Sequence, residues 1–471
     1  MNQIVTPQIC ILGGGAAGTS AAATAVALGA SVVLVEREEL GRRSAAGGSM
    51  QTLIAAARRV EAIRAVRALL AGAKDAKANF PAVMAHVRDV AAAIAPNHSA
   101  ARFAGLGVTV LRGAARFIDR RTVSVENTRV QARHFVIATG SSPVLPPISG
   151  LQAVPFLTCD SLFGLKRVPS RLAIIGGGHA ALEFAQAFRR LGSEVTVLEA
   201  GRALTDADPE LVSLLVETLR AEGIDIREDV QIARVAKRGR SAVRLMLGAE
   251  GGETLDATHL LVTARRPNVD EMGLEKAGIT FDEWGIAVDE RLRTRNPQIY
   301  AVGDVVRDAS TMLHTAEYQA ARVIRSILAG GGTGRPQEVP KVTLTDPELA
   351  SVGLSEAEAA RRFGRISVLR WPFSENERAR AEGATRGLVK LLATRKGLIL
   401  GGAILGREAG ELIAPLALAV AGGMNVRDVS AVVFPACTRA EALRRAAASF
   451  EAEQAQSSWL TRAVRLLRKR G

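Results

Sequence analysis

The chain has 471 residues, of which 48% are hydrophobic and 23% charged, and this balance is typical of a globular protein with about three domains. Its formal net charge of +14 would suit an anionic partner, but scattered arginines and only three tryptophans and two tyrosines argue against nucleic-acid binding. Three widely separated cysteines exclude a disulfide framework and a cysteine metal site and favour a reducing cytoplasm, and no apolar run reaches the roughly 20 residues of a membrane helix.

The first predicted element is a short apolar strand over residues 8–12, which runs directly into a glycine-rich turn. A predicted helix over 19–28 and a second apolar strand that ends in Glu36 follow. Three glycines permit the tight turn, the approach of a pyrophosphate and the packing of the helix on the strand. In that order they are Gly13, Gly15 and Gly18. Because Glu36 lies where a carboxylate accepts hydrogen bonds from a ribose, the segment predicts a dinucleotide site. The first strand begins close to the N-terminal methionine, so we expect no signal peptide.

The same pattern recurs further along the chain. A strand over 172–175 leads into a second turn, a helix to Leu191 and a strand that ends in Glu199. The matching turn positions are Gly176, Gly178 and Ala181. This repetition predicts a second dinucleotide site. A carboxylate at Glu199 accepts a hydrogen bond from a ribose 2′-hydroxyl and repels a 2′-phosphate, which favours NAD, whereas the nearby Arg202 leaves NADP open.

With these two units in place, the chain resembles the pyridine nucleotide-disulfide oxidoreductase family, which includes dihydrolipoamide dehydrogenase, glutathione reductase and mercuric reductase. The similarity runs from about residue 6 to residue 450. Its matching segments are 137–143, 261–268, 300–304, 312–319, 343–353, 409–413 and 434–443. The last of these is most similar to the mercuric reductase branch.

The resemblance assigns the first site to FAD. It implies that Asp304 holds the ribityl chain of FAD and that a helix start near residue 314 faces the flavin ring. The further FAD contacts that it implies are Thr139, Gly140, His314, Thr315 and Ala316. For His314 and Thr315, ordinary residues at the start of a helix are the alternative.

The predicted fold is of the α/β class, with two Rossmann-like dinucleotide-binding domains and a C-terminal α+β dimerisation domain. We predict an FAD-binding domain over residues 1–150 and 270–338, an NAD(P)-binding domain over 151–269, and a dimer-interface domain over 339–451. A basic tail over 452–471 follows, whose amphipathic pattern leaves peripheral contact with an anionic membrane open beside a solvated tail. The resemblance implies a homodimer.

The redox-active cysteine pair of the family is missing. In an ungapped comparison, Ser44 and Ser49 occupy the two cysteine positions of the C-x4-C motif, and Leu53 occupies the position of its lysine. A serine hydroxyl does not form a disulfide and ionises far above the range of a nucleophilic thiol. A dithiol relay is therefore excluded.

The catalytic residues of the family are also incomplete. Glu441 matches the glutamate of its C-terminal acid–base pair, but Ala436 stands at the histidine position. Cys437 could face the flavin of a partner subunit, and a small buried apolar residue is the alternative. Glu183 matches a glutamate that pairs with the missing lysine, and burial without that lysine would raise its pKa and let it carry a proton. His179 occupies the gating position between nicotinamide and flavin, with a solvated or capped histidine at a helix end as the alternative.

These residues predict a FAD-dependent NAD(P)H oxidoreductase. It would pass hydride from NAD(P)H to FAD and then electrons directly to a small acceptor such as a quinone, a dye, O₂ or another nicotinamide. One alternative is a reductase like mercuric reductase or dihydrolipoamide dehydrogenase that uses atypical residues. Another is a non-catalytic flavoprotein that senses redox state or scaffolds a partner.

Overall fold

A computed structural model describes residues 3–66, 77–239, 242–248, 252–308, 312–329 and 338–457, without the side chains of 42–46 and 453–457. Residues 458–471 of the predicted basic tail lie outside the described residues. The chain forms two compact units, the first from residues 1–168 and 261–336 and the second from residues 169–260 and 337–471. The predicted boundaries of the FAD-binding, NAD(P)-binding and interface domains stay predictions.

The elements of the N-terminal segment belong to the first unit. Its strands are β1 (Gln3–Val5), β2 (Ile9–Leu12), β3 (Val32–Glu36), β4 (Thr109–Arg112), β5 (Ala115–Phe117), β6 (Thr122–Val125), β7 (Thr128–Gln131), β8 (His134–Ile137), β9 (Ser141–Pro143) and β10 (Leu157–Thr158). Its helices are α1 (Ala16–Ala27), α2 (Arg42–Ala65), α3 (Phe80–Ile94) and α4 (Ala100–Gly105).

The rest of the chain passes through the second unit, returns to the first and ends in the second. Its strands are β11 (Arg171–Ile175), β12 (Glu194–Leu198), β13 (Asp225–Arg227), β14 (Ile232–Arg238), β15 (Ala242–Leu247), β16 (Glu253–Ala257), β17 (His259–Val262), β18 (Arg265–Pro267), β19 (Phe281–Asp282), β20 (Gly285–Ile286), β21 (Ile299–Ala301), β22 (Lys341–Thr343), β23 (Glu348–Gly353), β24 (Ile366–Pro372), β25 (Leu388–Thr394) and β26 (Ile399–Gly406). Its helices are α5 (His179–Leu191), α6 (Pro209–Ala221), α7 (Leu313–Leu328), α8 (Glu356–Phe363), α9 (Glu377–Ala381), α10 (Ala409–Ala421), α11 (Val426–Ala431) and α12 (Glu441–Ser457).

The first unit is built around a parallel sheet with the strand order β21-β8-β2-β3-β4. One face packs against α1 and α7 through small residues such as Ala21, Ala25 and Ala320, which lets the helices lie close to the strands. The other face packs against the sheet β1-β7-β6-β5 through residues that include Phe117 and Phe135. Alanine therefore fills much of the core of a chain that has few aromatic residues.

Helix α1 begins at Ala16, three residues before the predicted start at residue 19. The predicted helix began only after Gly18, but that glycine lies within the first turn of the helix. A Cβ at Gly18 would clash with the carbonyl oxygen of Gly13, so this glycine lets the first helical turn approach the strand. The glycine turn is consequently shorter than the sequence suggested.

The second unit repeats this arrangement and adds an antiparallel sheet. Strands β17, β11, β12 and β13 lie side by side, and β11, β12 and β13 pair in parallel. Strands β14, β15 and β16 form a small antiparallel sheet. The C-terminal residues form an antiparallel sheet in the order β22-β23-β26-β25-β24, which packs against α10, α11 and α12 around a core that contains Phe373 and Phe450.

In each of the two parallel sheets, one strand runs into a glycine turn and a helix. This arrangement confirms the predicted α/β class. Within the described ranges, none of the helices combines the length and the apolar character that crossing a bilayer requires.

Candidate functional site

The first glycine turn leaves open space at the N-terminus of α1. Gly13 has a φ of +106°, and a Cβ there would lie 2.4 Å from the carbonyl oxygen of Ala138, so only glycine fits. Gly15 directly precedes the helix, and a Cβ at that position would meet nothing within 4 Å. The amide groups at the start of α1 therefore face room for an anionic group such as a pyrophosphate.

Glu36 closes this turn from the end of β3. Its carboxylate accepts hydrogen bonds from the backbone N–H groups of Gly14 (2.6 Å) and Glu38 (2.9 Å). Because β2 and β3 are neighbouring parallel strands, their carboxyl ends bring the glycine turn and this carboxylate to the same edge of the sheet. The arrangement fits the binding of a ribose beside a pyrophosphate.

Two predicted FAD contacts lie between β8 and β9 and bind the segment that follows β18. The Thr139 hydroxyl donates to the carbonyl of Asn268 (3.0 Å), and the Asn268 amide donates back to the carbonyl of Thr139 (2.8 Å). Gly140, with a φ of +67°, accepts from the N–H of Asn268. Strands β9 and β18 continue this pairing as an antiparallel ribbon.

Asp304 is oriented by a buried hydroxyl that the sequence did not single out. The Ser141 hydroxyl donates to the Asp304 carboxylate (2.7 Å) and accepts from the guanidinium of Arg265 (2.9 Å). A second guanidinium nitrogen of Arg265 donates to the carbonyl of Ser141 (2.8 Å). Ser141 is only 2% exposed, so the hydroxyl that bridges the two charged groups is shielded from water.

The start of α7 contains the remaining predicted flavin contacts. Thr315 and Ala316 are buried, and His314 is exposed at the second position of the helix. The N–H of Gly303, one residue before Asp304, donates to the side chain of Gln319 in the same helix (2.8 Å). The contacts of His314, Thr315 and Ala316 with a flavin stay predictions.

The second glycine turn has the same geometry as the first. Gly176 has a φ of +115°, and a Cβ at Gly178 would meet nothing within 4 Å. Helix α5 begins at the next residue, and Ala181 is buried in its first turn. The carboxylate of Glu199 accepts from the N–H groups of Gly177 and Gly201.

Arg202, which left NADP open, lies beside acidic groups. Its guanidinium is 3.6 Å from the carboxylate of Glu228 and 3.7 Å from that of Asp229, and its side chain is 71% exposed. These exposed pairs are weak, but they hold the cation near carboxylates. A 2′-phosphate in this region would therefore meet three carboxylates, including that of Glu199.

His179 is the first residue of α5, and both of its ring nitrogens have a neighbour. Nδ1 lies 2.6 Å from the hydroxyl of Thr343, and Nε2 lies 3.2 Å from a carboxylate oxygen of Asp206. Lys341 donates to the other carboxylate oxygen of Asp206 (3.0 Å). The hydrogen bond from His179 and the charge of Lys341 hold the pKa of Asp206 well below its usual range. The gating role of His179 and its alternative, a solvated or capped histidine at a helix end, both stay predictions.

Glu183 is buried, with 4% exposure, and its carboxylate accepts from the backbone N–H of Leu344 (2.7 Å). Two further polar residues of α5, Gln186 and Arg190, are also buried and bind the backbone and the side chain of Asp346. Sequence reasoning missed these two residues. The signal was present in their spacing, since polar residues at helical intervals in an otherwise apolar helix indicate a polar partner.

The positions of the missing redox cysteines lie on α2. Ser49 is buried, with 7% exposure, and Leu53 at the lysine position is fully buried. Ser44 lies in the first turn of the same helix, and its side chain is outside the description.

The three cysteines of the chain lie in separate segments. Cys10 is fully buried in β2, where burial raises the pKa of its thiol far above the usual range. Cys159 is partly buried just after β10. Cys437 is exposed in the single chain, so its interpretation as a small buried apolar residue was wrong. It lies in a connecting turn with a φ of +56°, and a turn at the surface does not bury its side chain.

The thiol of Cys437 donates to the carboxylate of Glu377 (3.2 Å), and this hydrogen bond and negative charge raise the pKa of the thiol. Glu441, the other C-terminal candidate, begins α12 and pairs with Arg444 (3.3 Å) and Arg445 (2.9 Å) of the same helix. These contacts favour a protonated thiol and a carboxylate already engaged in local ion pairs.

Comparison with protein families gives two matches along the chain. The profile of the pyridine nucleotide-disulphide oxidoreductases matches residues 7–320. The profile of the dimerisation domain of the same group matches residues 339–447.

Individual relatives agree with these matches. A mercuric reductase of Streptomyces lividans is 34% identical over 462 residues, which cover 96% of this chain and 97% of that protein. A dihydrolipoyl dehydrogenase of Thermus scotoductus is 37% identical over 354 residues, or 73% of this chain and 75% of that protein. Among solved structures, the HOCl-induced flavoprotein disulfide reductase RclA of Escherichia coli superposes with a TM-score of 0.80 and 25% identity over 94% of this chain and 99% of that one.

Proposed function

The chain belongs to the pyridine nucleotide-disulphide oxidoreductase family, and we propose that within it the chain acts as a FAD-dependent NAD(P)H oxidoreductase without a dithiol relay. The observation that carries the proposal is the buried Ser49 at a redox-cysteine position, in a chain whose three cysteines lie in separate segments. Electrons would therefore pass from the flavin directly to a small acceptor.

The first site fits FAD. Open space at Gly15 accommodates a pyrophosphate, Glu36 lies beside it for a ribose, and the Asp304 carboxylate is held in place by Ser141. When bound, FAD supplies the redox chemistry, since it accepts a hydride from a reduced nicotinamide and gives up electrons to an acceptor. The protein binds and orients both nucleotides and excludes water from the reacting groups.

NAD(H) is the preferred nicotinamide in this proposal. The Glu199 carboxylate is fixed by the N–H groups of Gly177 and Gly201, in the position where a ribose 2′-hydroxyl would donate to it. Arg202 is turned towards Glu228 and Asp229. A 2′-phosphate would therefore be repelled by the Glu199 carboxylate, and the Arg202 cation would not be available to bind it.

The acceptors that we propose are quinones, dyes, O₂ or a second nicotinamide. Thiol substrates and mercuric ion are disfavoured as acceptors because their reduction needs thiolates of the protein. The exposed Cys437 is a poor source of a thiolate, since Glu377 raises the pKa of its thiol. Ala436 also supplies no imidazole for the proton transfers of a thiol substrate. The match of residues 339–447 to the dimerisation domain supports a homodimer as the working form.

The test is reduction of the purified flavoprotein under anaerobic conditions. Stopped-flow mixing with NADH should bleach the visible flavin absorbance quickly, and NADPH should do so more slowly. Admission of a quinone, a dye, O₂ or a nicotinamide should restore the absorbance and sustain turnover with at least one of them.

The same assay separates the alternatives. Turnover with mercuric ion or lipoamide at rates above those with quinones and dyes would overturn the proposed acceptor class. If neither NADH nor NADPH reduces the flavin, the proposal of an enzyme is rejected and the non-catalytic flavoprotein remains. The positive test for that alternative is a change in partner binding with the redox state.

A further inference from the structure

One face of α5 carries polar residues that bind a single segment of the dimerisation domain. Four such residues follow one another at intervals of four, three and four positions, which places them on one side of a helix. They are His179, Glu183, Gln186 and Arg190. Each of them has a partner between Thr343 and Asp346, and we refer to these contacts as the α5 seam.

The contacts of the seam run in register along the helix. His179 lies against the hydroxyl of Thr343, and Glu183 accepts the N–H of Leu344. Gln186 accepts the N–H of Asp346 (2.7 Å) and donates to its carbonyl (2.7 Å). Arg190 donates to the Asp346 carboxylate (3.0 Å). The helix therefore has a single translational and rotational position that satisfies all of these bonds.

The seam is buried, so its bonds cannot be exchanged freely for bonds to water. Gln186 is 3% exposed, Arg190 is 5% exposed and Thr343 is 1% exposed. Arg190 also pairs with Glu222 at the end of α6 (2.8 Å), which fixes its guanidinium on a second side. A buried polar group that loses its partner costs far more than a bond at the surface.

The N-terminus of α5 is the end that faces the second glycine turn. A pyrophosphate bound there depends on the direction of the first backbone N–H groups of the helix, and small displacements of the helix change those hydrogen bonds. The segment that fixes the helix, however, lies far away in sequence, in the dimerisation domain.

We infer that the dimerisation domain forms a working part of the second dinucleotide site, with Gln186 and Arg190 as positioning residues for the pyrophosphate-binding end of α5. The inference rests on the proposed binding of NAD(P)H at the second glycine turn. It makes the affinity for the dinucleotide depend on residues that lie two and three helical turns away from the ligand.

The test compares ligand affinities of the full-length, FAD-loaded chain by isothermal titration calorimetry. ADP-ribose contains the pyrophosphate, whereas AMP contains only the adenosine side with one phosphate. We expect Gln186→Leu to raise the Kd of ADP-ribose about tenfold, as the loss of a buried hydrogen-bond pair implies. The Kd of AMP should also rise, but by a factor that is about three times smaller. In turnover, the KM for NADH should rise while kcat at saturating NADH and the flavin content stay unchanged.

Arg190→Lys is the second variant. It should destabilise the fold less, because it keeps a cation beside Asp346 and Glu222 and loses only the forked geometry of the guanidinium. Its Kd for ADP-ribose should lie between those of the wild type and Gln186→Leu. Arg189→Met is the matched control, since Arg189 lies in the same helical turn but donates to the carbonyls of Glu222 and Ser193. It should bind ADP-ribose as the wild type does.

Wild-type Kd values for ADP-ribose in both Gln186→Leu and Arg190→Lys would overturn the inference, as would equal losses for AMP and ADP-ribose. Failure of the proposed function is seen separately, as a wild-type flavin that NADH does not reduce although ADP-ribose binds. A wild-type chain that binds no ADP-ribose would contradict the site assignment on which both conclusions rest.

Discussion

Single carboxylates hold both glycine turns in shape. Glu36 accepts the N–H of Gly14, and Glu199 accepts the N–H of Gly177, so each acid bonds the middle glycine of its own turn. A second backbone N–H bonds the other oxygen in each case. Each acid can therefore orient the turn and also accept from a ribose, since a carboxylate has about four acceptor positions.

At Glu199 the charge can be separated from the hydrogen bonding. The variant Glu199→Gln keeps one side-chain oxygen as an acceptor and removes the negative charge. We expect kcat/KM for NADPH to rise about tenfold, because the repulsion of the 2′-phosphate is lost, while kcat/KM for NADH falls by a smaller factor. Steady-state kinetics with both nucleotides measure this change. Arg202→Gln is the control and should leave the NADH value unchanged, and an unaltered preference in Glu199→Gln would contradict the assignment.

Ser141 offers a similar test in the first unit. Ser141→Ala removes the hydroxyl that bridges the Asp304 carboxylate and the Arg265 guanidinium. We expect the Kd of FAD to rise about tenfold, because the loss of a partly buried charge-assisted hydrogen bond costs about 1.5 kcal/mol. Ser142→Ala removes the same atom from the next residue of β9 and should leave FAD binding intact. Fluorescence titration of the apoprotein with FAD distinguishes the two, and equal Kd values would refute the role of Ser141.

Among the elements, α2 differs from a site for a cysteine pair in its backbone as well as in its side chains. The helix runs without a break from Arg42 to Ala65 and contains both Ser44 and Ser49. In a regular helix, Cα atoms five residues apart are separated by about 8.6 Å. A disulfide requires roughly 7 Å or less. Restoring the two sulfur atoms would therefore not restore their bond.

The double variant Ser44→Cys with Ser49→Cys tests this geometry. We expect both thiols to stay reduced in air and to react with a thiol reagent, and we expect no lipoamide reduction above that of the wild type. Thiol counting on the folded protein is the measurement, with the single variant Ser49→Cys as the control. An internal disulfide, or a gain of lipoamide turnover, would show that the start of α2 opens more readily than its helical geometry implies.

The sequence predicted local elements well and contacts between distant segments poorly. The strand–turn–helix units were predictable because glycines, strand hydrophobicity and terminal acids all act within about 30 residues, and the observed bounds of β12 and α5 agree. The partners of His179 and Asp304 were not predictable, because Thr343 and Ser141 lie more than 150 residues away from them in the chain. The exposure of Cys437 was missed for the same reason, since burial is decided by tertiary packing.

Across the whole second unit, a line of acids joins the two parts of the chain that form it. Asp206, Asp208 and Glu210 alternate along the segment that leads into α6. Asp206 binds Lys341, whereas Asp208 and Glu210 bind the ammonium group of Lys390 at 2.8 and 2.9 Å. The Lys390 side chain is 3% exposed, and the carboxylates that surround it raise its pKa well above the usual range. The second unit therefore depends on charges that are opposite, close together and partly buried.

These pairs make the stability of the second unit fall in acid. The hydrogen bond from Arg370, with the nearby Lys390, lowers the pKa of Glu210 from 4.5 to about 2, so its contribution is complete above pH 4.5 and is lost as the pH falls towards 2. We expect Glu210→Gln to lower the free energy of unfolding by about 1 kcal/mol at pH 7, because the glutamate is partly exposed, and by almost nothing near pH 2. Lys390→Met should cost about 3 kcal/mol at pH 7, because it leaves several carboxylates without their buried cation. Calorimetric unfolding at a series of pH values measures both effects, and a Glu210→Gln deficit that persists undiminished at pH 2 would contradict the role of this ion pair.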